Sequence, residues 1–105
     1  YVLAGIEKQE NNWDEIIILD HDKYISECLS SNIFWKKNDC YYTPSIKTGC
    51  VDGIYRNYLI NKYKKENIKI EIGFWKLNVL KTADLIFTTN VMGTQEIKVN
   101  SLYFE

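Results

Sequence analysis

The sequence has little of what several functional classes require. Its 105 residues carry a net charge of -1, whereas proteins that bind nucleic acids or anionic membranes need a basic surface. The cysteines form no CxxC pair and His21 is the only histidine, so nothing indicates a zinc site. No apolar run approaches the roughly 20 residues that span a bilayer. We therefore predict no metal, no nucleic-acid partner and no membrane partner.

The composition is that of an ordinary globular protein. With 46% hydrophobic and 26% charged residues, we expect residues 1–105 to form a single domain with one core. The widely spaced Cys28, Cys40 and Cys50 are typical of reduced thiols in a cytoplasmic protein. No signal peptide is visible at Tyr1, and the chain does not begin with methionine. We expect it to be a piece of a longer protein.

The hydrophobic pattern predicts hairpins combined with a strand–helix–strand unit, which places the chain in the α/β class, bordering on α+β. A helix is expected over residues 1–11, because Val2, Leu3 and Ile6 share one face. The best helix begins at Gly53 or Ile54 and ends near residue 67, with Tyr55, Tyr58, Leu59 and Tyr63 on one face. Two hairpins are expected, one pairing 16–19 with 24–28 and one pairing 33–35 with 40–42. Further strands are expected at 68–72, 85–87 and 96–100. A short helix is expected over 77–83.

Three local features could carry chemistry. Glu27 lies on a predicted strand, where a buried carboxylate needs a partner. The segment 49–54 runs from a glycine-containing turn into a helix, and a helix N-terminus is an anion site. The segment 88–91 follows a buried strand of an α/β sheet, where ligands tend to bind.

Each feature also has an ordinary structural explanation. Glu27 could face water on an edge strand, a glycine before a helix commonly binds nothing, and 88–91 could be a polar loop. The three tryptophans and eight tyrosines are more typical of core and interface packing than of a base-stacking platform, because basic residues do not alternate with them. No serine has the GxSxG setting of a nucleophile elbow.

The order and spacing of these features carry a resemblance. The segments ECLSSNIF (27–34), YTP (42–44), VDGIYR (51–56) and ADLIFTTN (83–90) resemble the signature of the class IV aminotransferases, a family of fold-type IV pyridoxal-phosphate enzymes. The resemblance covers about residues 13–97. It implies the C-terminal, cofactor-binding domain of the D-amino acid aminotransferase-like fold, a sandwich or pseudo-barrel sheet with flanking helices.

The resemblance implies that seven residues bind pyridoxal 5'-phosphate or shape its site. Glu27 matches the glutamate that hydrogen-bonds the pyridine nitrogen, and Asn32 matches an asparagine that shapes the turn near the cofactor. The remaining five match the two segments that hold the phosphate, namely Gly53, Ile54 and Tyr55 at the helix start and Asn90 and Val91 after the strand.

Two positions near these residues have further implications. Arg56 matches a basic residue with a structural role. Tyr55 stands where many transaminases of the class have threonine, so the expected phosphate contacts there are those of the backbone.

The family also implies parts that this sequence does not contain. Its Schiff-base lysine is expected upstream of Tyr1, together with an N-terminal domain, so no catalytic residue is assigned within residues 1–105. The piece alone is expected to be inactive, whereas the whole protein is expected to be a homodimeric enzyme that acts on a small-molecule amine.

Within the family, two details resemble the 4-amino-4-deoxychorismate lyase branch. These are Glu27-Cys28 followed by NIFW (32–35), and VDGIYR (51–56). That branch forms 4-aminobenzoate and pyruvate, a step toward folate. The alternatives are a D-amino acid or branched-chain aminotransferase, since Ser30-Ser31-Asn32 also resembles the D-amino acid enzymes, and a non-catalytic domain that binds a phosphate ligand or a partner.

Overall fold

Two open β-sheets form the framework in the computed structural model, which describes residues 3–7, 13–29, 31–97 and 102–104, with side chains for 16–29 and 31–97. The first sheet has the strand order β3-β2-β1-β9. Its strands are β1 (Leu3–Glu7), β2 (Trp13–Leu19), β3 (Ile25–Cys28) and β9 (Leu102–Phe104). The second has the order β6-β5-β4-β7-β8. Its strands are β4 (Asn32–Lys37), β5 (Cys40–Pro44), β6 (Lys69–Gly73), β7 (Leu85–Asn90) and β8 (Gly93–Ile97).

The faces of the two sheets share one hydrophobic core. Ile17 and Ile25 from the first sheet pack with Trp35 and Ile86 from the second, and all four are at most 2% exposed. Leu80, on a 3-10 helix over Leu77–Thr82, completes this cluster. Neither sheet closes on itself in the described ranges. The mixed α/β class is therefore confirmed, in the form of a sandwich of open sheets rather than a closed barrel.

The hairpin between β4 and β5 turns through two residues. Asn38 and Asp39 have φ values of 51° and 67°, and these positive values suit a type I′ turn. The turn pairs Lys37 with Cys40 and Trp35 with Tyr42. The predicted pairing of 33–35 with 40–42 is confirmed, and Lys36 and Lys37, which lie between these segments, extend β4 instead of forming the turn.

The helix α1 (Ile54–Lys65) connects β5 to β6, which pair in parallel and so need a crossover. Its buried residues Leu59 and Ile60 pack with Phe34 and Phe87 on the other face of the second sheet. Tyr58 was predicted on this inward face, but it is 57% exposed. The third buried residue of α1 is instead Arg56, one turn before Leu59 and Ile60. No helix in the described ranges is long and apolar enough to cross a membrane.

The predicted helix over residues 1–11 is wrong where the structure describes that segment. Leu3–Glu7 form β1, which pairs antiparallel with β2 on one side and with β9 on the other. Gly5 weakens a helix by about 1 kcal/mol, whereas pairing on both sides gives the backbone N–H and C=O groups partners. Helical periodicity within the segment could not reveal those distant partners. The other residues of that prediction lie outside the described ones.

The end of the chain also departs from the prediction. A last strand was expected over 96–100, but β8 begins at Gly93 and is described as far as Ile97. Residues 98–100 lie outside the described ranges. The strand β9 was not predicted, because its three residues are too short to show periodicity.

The raised pKa of Tyr63 leads to a prediction about stability at high pH. Burial against the stacked ring of Tyr41, 4.5 Å away between centroids, raises the pKa of Tyr63 to about 12 from its usual 10.0. The folded state thus favours the protonated phenol. The stability that Tyr63 contributes is therefore fully present below its pKa in the unfolded chain, and it is lost as the pH rises through its pKa in the folded protein. We expect the urea midpoint of the wild type to fall above about pH 10, and that of Tyr63→Phe to fall less.

The control is Tyr58→Phe, on the exposed face of the same helix. It should keep the alkaline loss of the wild type. An equal alkaline loss in all three proteins would show that Tyr63 does not contribute to it.

Candidate functional site

A cavity of about 350 Å³ lies where β3, β4, β7 and the start of α1 meet. All seven residues predicted for the site line this cavity, namely Glu27, Asn32, Gly53, Ile54, Tyr55, Asn90 and Val91. Residues distant in sequence are thus brought together around one space. The cavity is also lined by five residues to which the sequence assigned no role, namely Cys28, Leu29, Ser31, Val51 and Thr89.

The pairing of β4 with β7 places one wall of the cavity. These strands are antiparallel with Asn32 opposite Thr89, so the start of one lies beside the end of the other. Asn90 ends β7, and its Oδ1 accepts a hydrogen bond of 2.8 Å from the backbone N–H of Met92. This bond shapes the turn into β8, and Val91 within the turn is 92% exposed.

Glu27 lies on β3, which is an edge strand of the first sheet. Its side chain is half-buried, and its Oε1 accepts a hydrogen bond of 2.8 Å from the backbone N–H of Val51. The carboxylate thus faces the cavity and the loop before α1 rather than water alone. This position gives the cavity a negatively charged wall.

Asn32 is 7% exposed and lies against the same loop. Its Nδ2 donates a hydrogen bond of 2.8 Å to the backbone oxygen of Val51. Its Oδ1 lies so near Gly53 that a Cβ at that position would collide with it. Because Gly53 has φ -68° and ψ 145°, which any residue can adopt, the reason for glycine here is this close approach.

The N-terminus of α1 forms the opposite wall. Gly53 is the N-cap without a side-chain capping bond, and the first turn holds no acidic residue. The first backbone N–H groups of a helix have no partner within the helix, and the helix dipole adds positive potential there. Since Gly53, Ile54 and Tyr55 line the cavity, its N-terminal end is suited to an anion.

Arg56 fixes the position of this helix end. It is 4% exposed, and its Nη2 donates a hydrogen bond of 2.9 Å to the backbone oxygen of Pro44 at the end of β5. Its Nη1 lies 3.7 Å from Oδ1 of Asp52. Arg56 is absent from the cavity lining, and these contacts give it a structural position.

Thr89 is a cavity residue to which the sequence assigned no individual role. It is 1% exposed, and its Oγ1 has no hydrogen-bond partner among the residues that the structure describes. A buried hydroxyl without a partner is unfavourable, and this one lies at the cavity wall, where it could bond to a group in the cavity. The segment 88–91 was singled out, but a threonine within a strand carries no local signal of this kind.

A second cavity of about 560 Å³ borders Glu27 from another side, lined also by Asp20, His21 and Lys23. It contains none of the other six predicted residues, so we assign the site to the smaller cavity. The side chains of Cys28, Cys40 and Cys50 are all buried. Burial raises the pKa of the Cys50 thiol, which disfavours a reactive thiolate there.

Comparison with known proteins identifies the family. The family model described as amino-transferase class IV matches residues 1–98, and the chain belongs to this family. The resemblance found in the sequence is therefore confirmed. Relatives in this family include both lyases and branched-chain aminotransferases.

Two relatives show this range. Aminodeoxychorismate lyase of Bacillus subtilis (strain 168) is 40% identical over 76 residues, which are 72% of this chain and 26% of the lyase. Branched-chain-amino-acid aminotransferase-like protein 2 of Arabidopsis thaliana is 38% identical over 92 residues, which are 88% of this chain and 16% of the plant protein. The chain therefore matches only about a quarter or less of the length of these relatives.

Solved structures agree on the fold. The branched-chain amino acid aminotransferase of Escherichia coli superposes with a TM-score of 0.79 at 26% identity, covering 82% of this chain and 29% of that chain. The enzyme of Thermoproteus uzoniensis superposes with a TM-score of 0.78 at 24% identity, covering 82% and 29%, which supports the fold alone.

The close approach at Gly53 predicts that Gly53→Ala lowers stability when Asn32 is present and raises it when Asn32 is absent. In the wild type, Gly53→Ala forces Oδ1 of Asn32 away and breaks its bond to Val51, so we expect a loss of about 1–2 kcal/mol of stability. In an Asn32→Ala background there is no collision, and Gly→Ala at an ordinary φ should stabilise by about 0.4–1 kcal/mol. Urea unfolding of the four proteins measures this coupling. Equal effects of Gly53→Ala in both backgrounds would contradict it.

Proposed function

We propose that this chain is the cofactor-binding part of a pyridoxal-phosphate enzyme, and that the whole protein is an aminodeoxychorismate lyase. The observation that carries the proposal is the single cavity that Glu27 and the N-terminus of α1 both line. A carboxylate and a helix N-terminus suit the two ends of pyridoxal phosphate, which are a protonated pyridine nitrogen and a phosphate.

The chemistry of the cavity walls fits this cofactor. Its volume of about 350 Å³ is in the range of small-molecule sites. Gly53 has no side chain to hold a phosphate away from the helix end, and the backbone N–H groups of Ile54 and Tyr55 would donate to phosphate oxygens. The buried Oγ1 of Thr89 supplies a further donor without another partner in the described residues. Asn90 and Val91 would complete the phosphate side.

The residues of this chain would have positioning and electrostatic roles in the reaction. When bound, pyridoxal phosphate supplies an electron sink for the electron pair released by the substrate. The Glu27 carboxylate would keep the proton on the ring nitrogen, because a nearby negative charge favours the charged form. Asn32 and Arg56 would hold the loop and the helix end in place. We assign the lysine that binds the cofactor covalently to a part of the protein that precedes this chain.

The choice of the lyase rests on two observations. One is the 40% identity to the Bacillus subtilis lyase, and the other is the resemblance of the NIFW and VDGIYR segments to the lyase branch. A branched-chain aminotransferase is the second candidate, supported by the Arabidopsis relative and the Escherichia coli structure. In either case we propose a cytoplasmic homodimer that acts on a small-molecule amine.

The activity of the whole protein separates these candidates. We expect the purified full-length protein with pyridoxal phosphate to release pyruvate from aminodeoxychorismate in the absence of any keto acid, measured by a coupled dehydrogenase assay. Product formation that requires a keto-acid acceptor would identify an aminotransferase instead.

Borohydride reduction of the same sample provides an independent measurement. We expect it to fix the cofactor on one lysine upstream of Tyr1, identified by peptide mapping. If no lysine is specifically labelled, the proposal of a cofactor-dependent enzyme is wrong and a non-catalytic phosphate-binding or partner-binding domain takes its place.

Thr89→Val tests whether the buried hydroxyl serves the ligand. Because Oγ1 has no partner in the described residues, its replacement by a methyl group should leave stability unchanged or raise it by up to about 1 kcal/mol. Pyridoxal phosphate should nevertheless bind about tenfold more weakly, the effect of losing about 1.4 kcal/mol. Thermal unfolding without cofactor and a cofactor titration measure the two effects. A loss of stability with unchanged affinity would contradict this role.

A further inference from the structure

We infer that Glu27 and Asn32 together clamp the peptide groups of Val51, so that Glu27 positions the phosphate side of the cavity in addition to meeting the ring nitrogen. The inference deepens the proposed function and rests on it for the identity of the ligand. Glu27, for which the proposed partner is the ring nitrogen, thus also positions the segment that would hold the phosphate.

The clamp consists of two hydrogen bonds to one residue. The backbone N–H of Val51 donates to Oε1 of Glu27 at 2.8 Å. The backbone oxygen of Val51 accepts from Nδ2 of Asn32 at 2.8 Å. Both backbone polar groups of Val51 are thereby held by side chains, one from β3 in the first sheet and one from β4 in the second.

After the buried Cys50, residues 51–54 have little apolar burial that could hold them in another way. The side chains of Val51 and Ile54 are 65% and 86% exposed, and Asp52 is exposed as well. The position of this loop before α1 therefore depends on polar contacts. The clamp also brings Oδ1 of Asn32 into close approach with Gly53, which follows Val51 by two residues.

The two roles of Glu27 are chemically compatible. An ionised carboxylate has two oxygens with about four acceptor sites, so the bond from Val51 to Oε1 leaves capacity for a ring N–H. Removing the carboxylate should then release the loop, and the backbone N–H groups at the start of α1 would lose their alignment to a phosphate. Replacing it with an amide should not, because the amide oxygen can accept the same bond.

The experiment compares three variants of the full-length protein with two ligands. Glu27→Gln keeps an acceptor for Val51 but loses the charge, Glu27→Ala loses both, and Asn32→Ala removes the other half of the clamp. The ligands are pyridoxal phosphate and pyridoxal, and the ratio of their affinities reports the contribution of the phosphate.

We expect this ratio to fall about tenfold in Glu27→Ala and in Asn32→Ala, the effect of one hydrogen bond, and to stay within about twofold of the wild type in Glu27→Gln. If Glu27 acts only on the ring nitrogen, both of its variants weaken the two ligands equally. The ratio would then not change, and the inference would be overturned.

Amide hydrogen exchange without ligand tests the clamp independently of the proposed function. The N–H of Val51 should exchange about tenfold faster in Glu27→Ala than in the wild type, and at the wild-type rate in Glu27→Gln. Wild-type protein that binds neither ligand would refute the proposed function, whereas equal exchange in all proteins would refute the clamp. If Glu27→Ala does not fold, Asn32→Ala tests the same loop through the affinity ratio.

Discussion

The register between β4 and β7 is the constraint on which the rest of the site depends. It places Asn32 opposite Thr89 at one end of two interior strands of the second sheet, next to Asn90, which ends β7. If β4 slipped by one residue, Asn32 would turn to the other face, away from Thr89, and Phe34 would exchange faces with Trp35, which belongs to a different core. The same side-chain alternation that fills two cores thus holds the cavity wall in place.

The opposite wall depends on polar contacts rather than apolar burial. Arg56 is almost fully buried, and a buried guanidinium is costly unless it is paired and hydrogen-bonded. It donates to the carbonyl of Pro44 and lies near Asp52, so moving the end of β5 away from the start of α1 would leave a buried charge without these partners. A well-defined helix end with no acidic residue in its first turn is what an anion site requires.

The features predictable from sequence are those with local causes. The hairpin that pairs 33–35 with 40–42 and the helix α1 have signals within a few residues, and both were predicted. The segment around β1 has a local pattern that favours a helix, but its strand depends on partners in β2 and β9. Tyr58 shows the same limit on a smaller scale, since helical spacing alone does not say which face the sheet will cover.

The candidate site follows the same division. Its residues were predicted from a resemblance carried by motifs, because Glu27, Asn32 and Gly53 have weak signals when each is taken alone. The unpartnered hydroxyl of Thr89 and the hydrogen bonds to Val51 exist only after three strands and a helix come together. A single sequence contains the residues that form these contacts but not the geometry that creates them.

The walls described here would recognise features of the cofactor that a lyase and an aminotransferase both use. A carboxylate for the ring nitrogen and a helix end for the phosphate serve either reaction, since both need the same electron sink. Neither wall therefore discriminates between substrates. Discrimination requires groups that contact the part of the substrate that differs, and the exposed apolar side chains of Leu29 and Val91 also line the cavity. In the proposed enzyme, changes at such groups would alter the substrate, whereas Glu27 and α1 would hold the cofactor in one position.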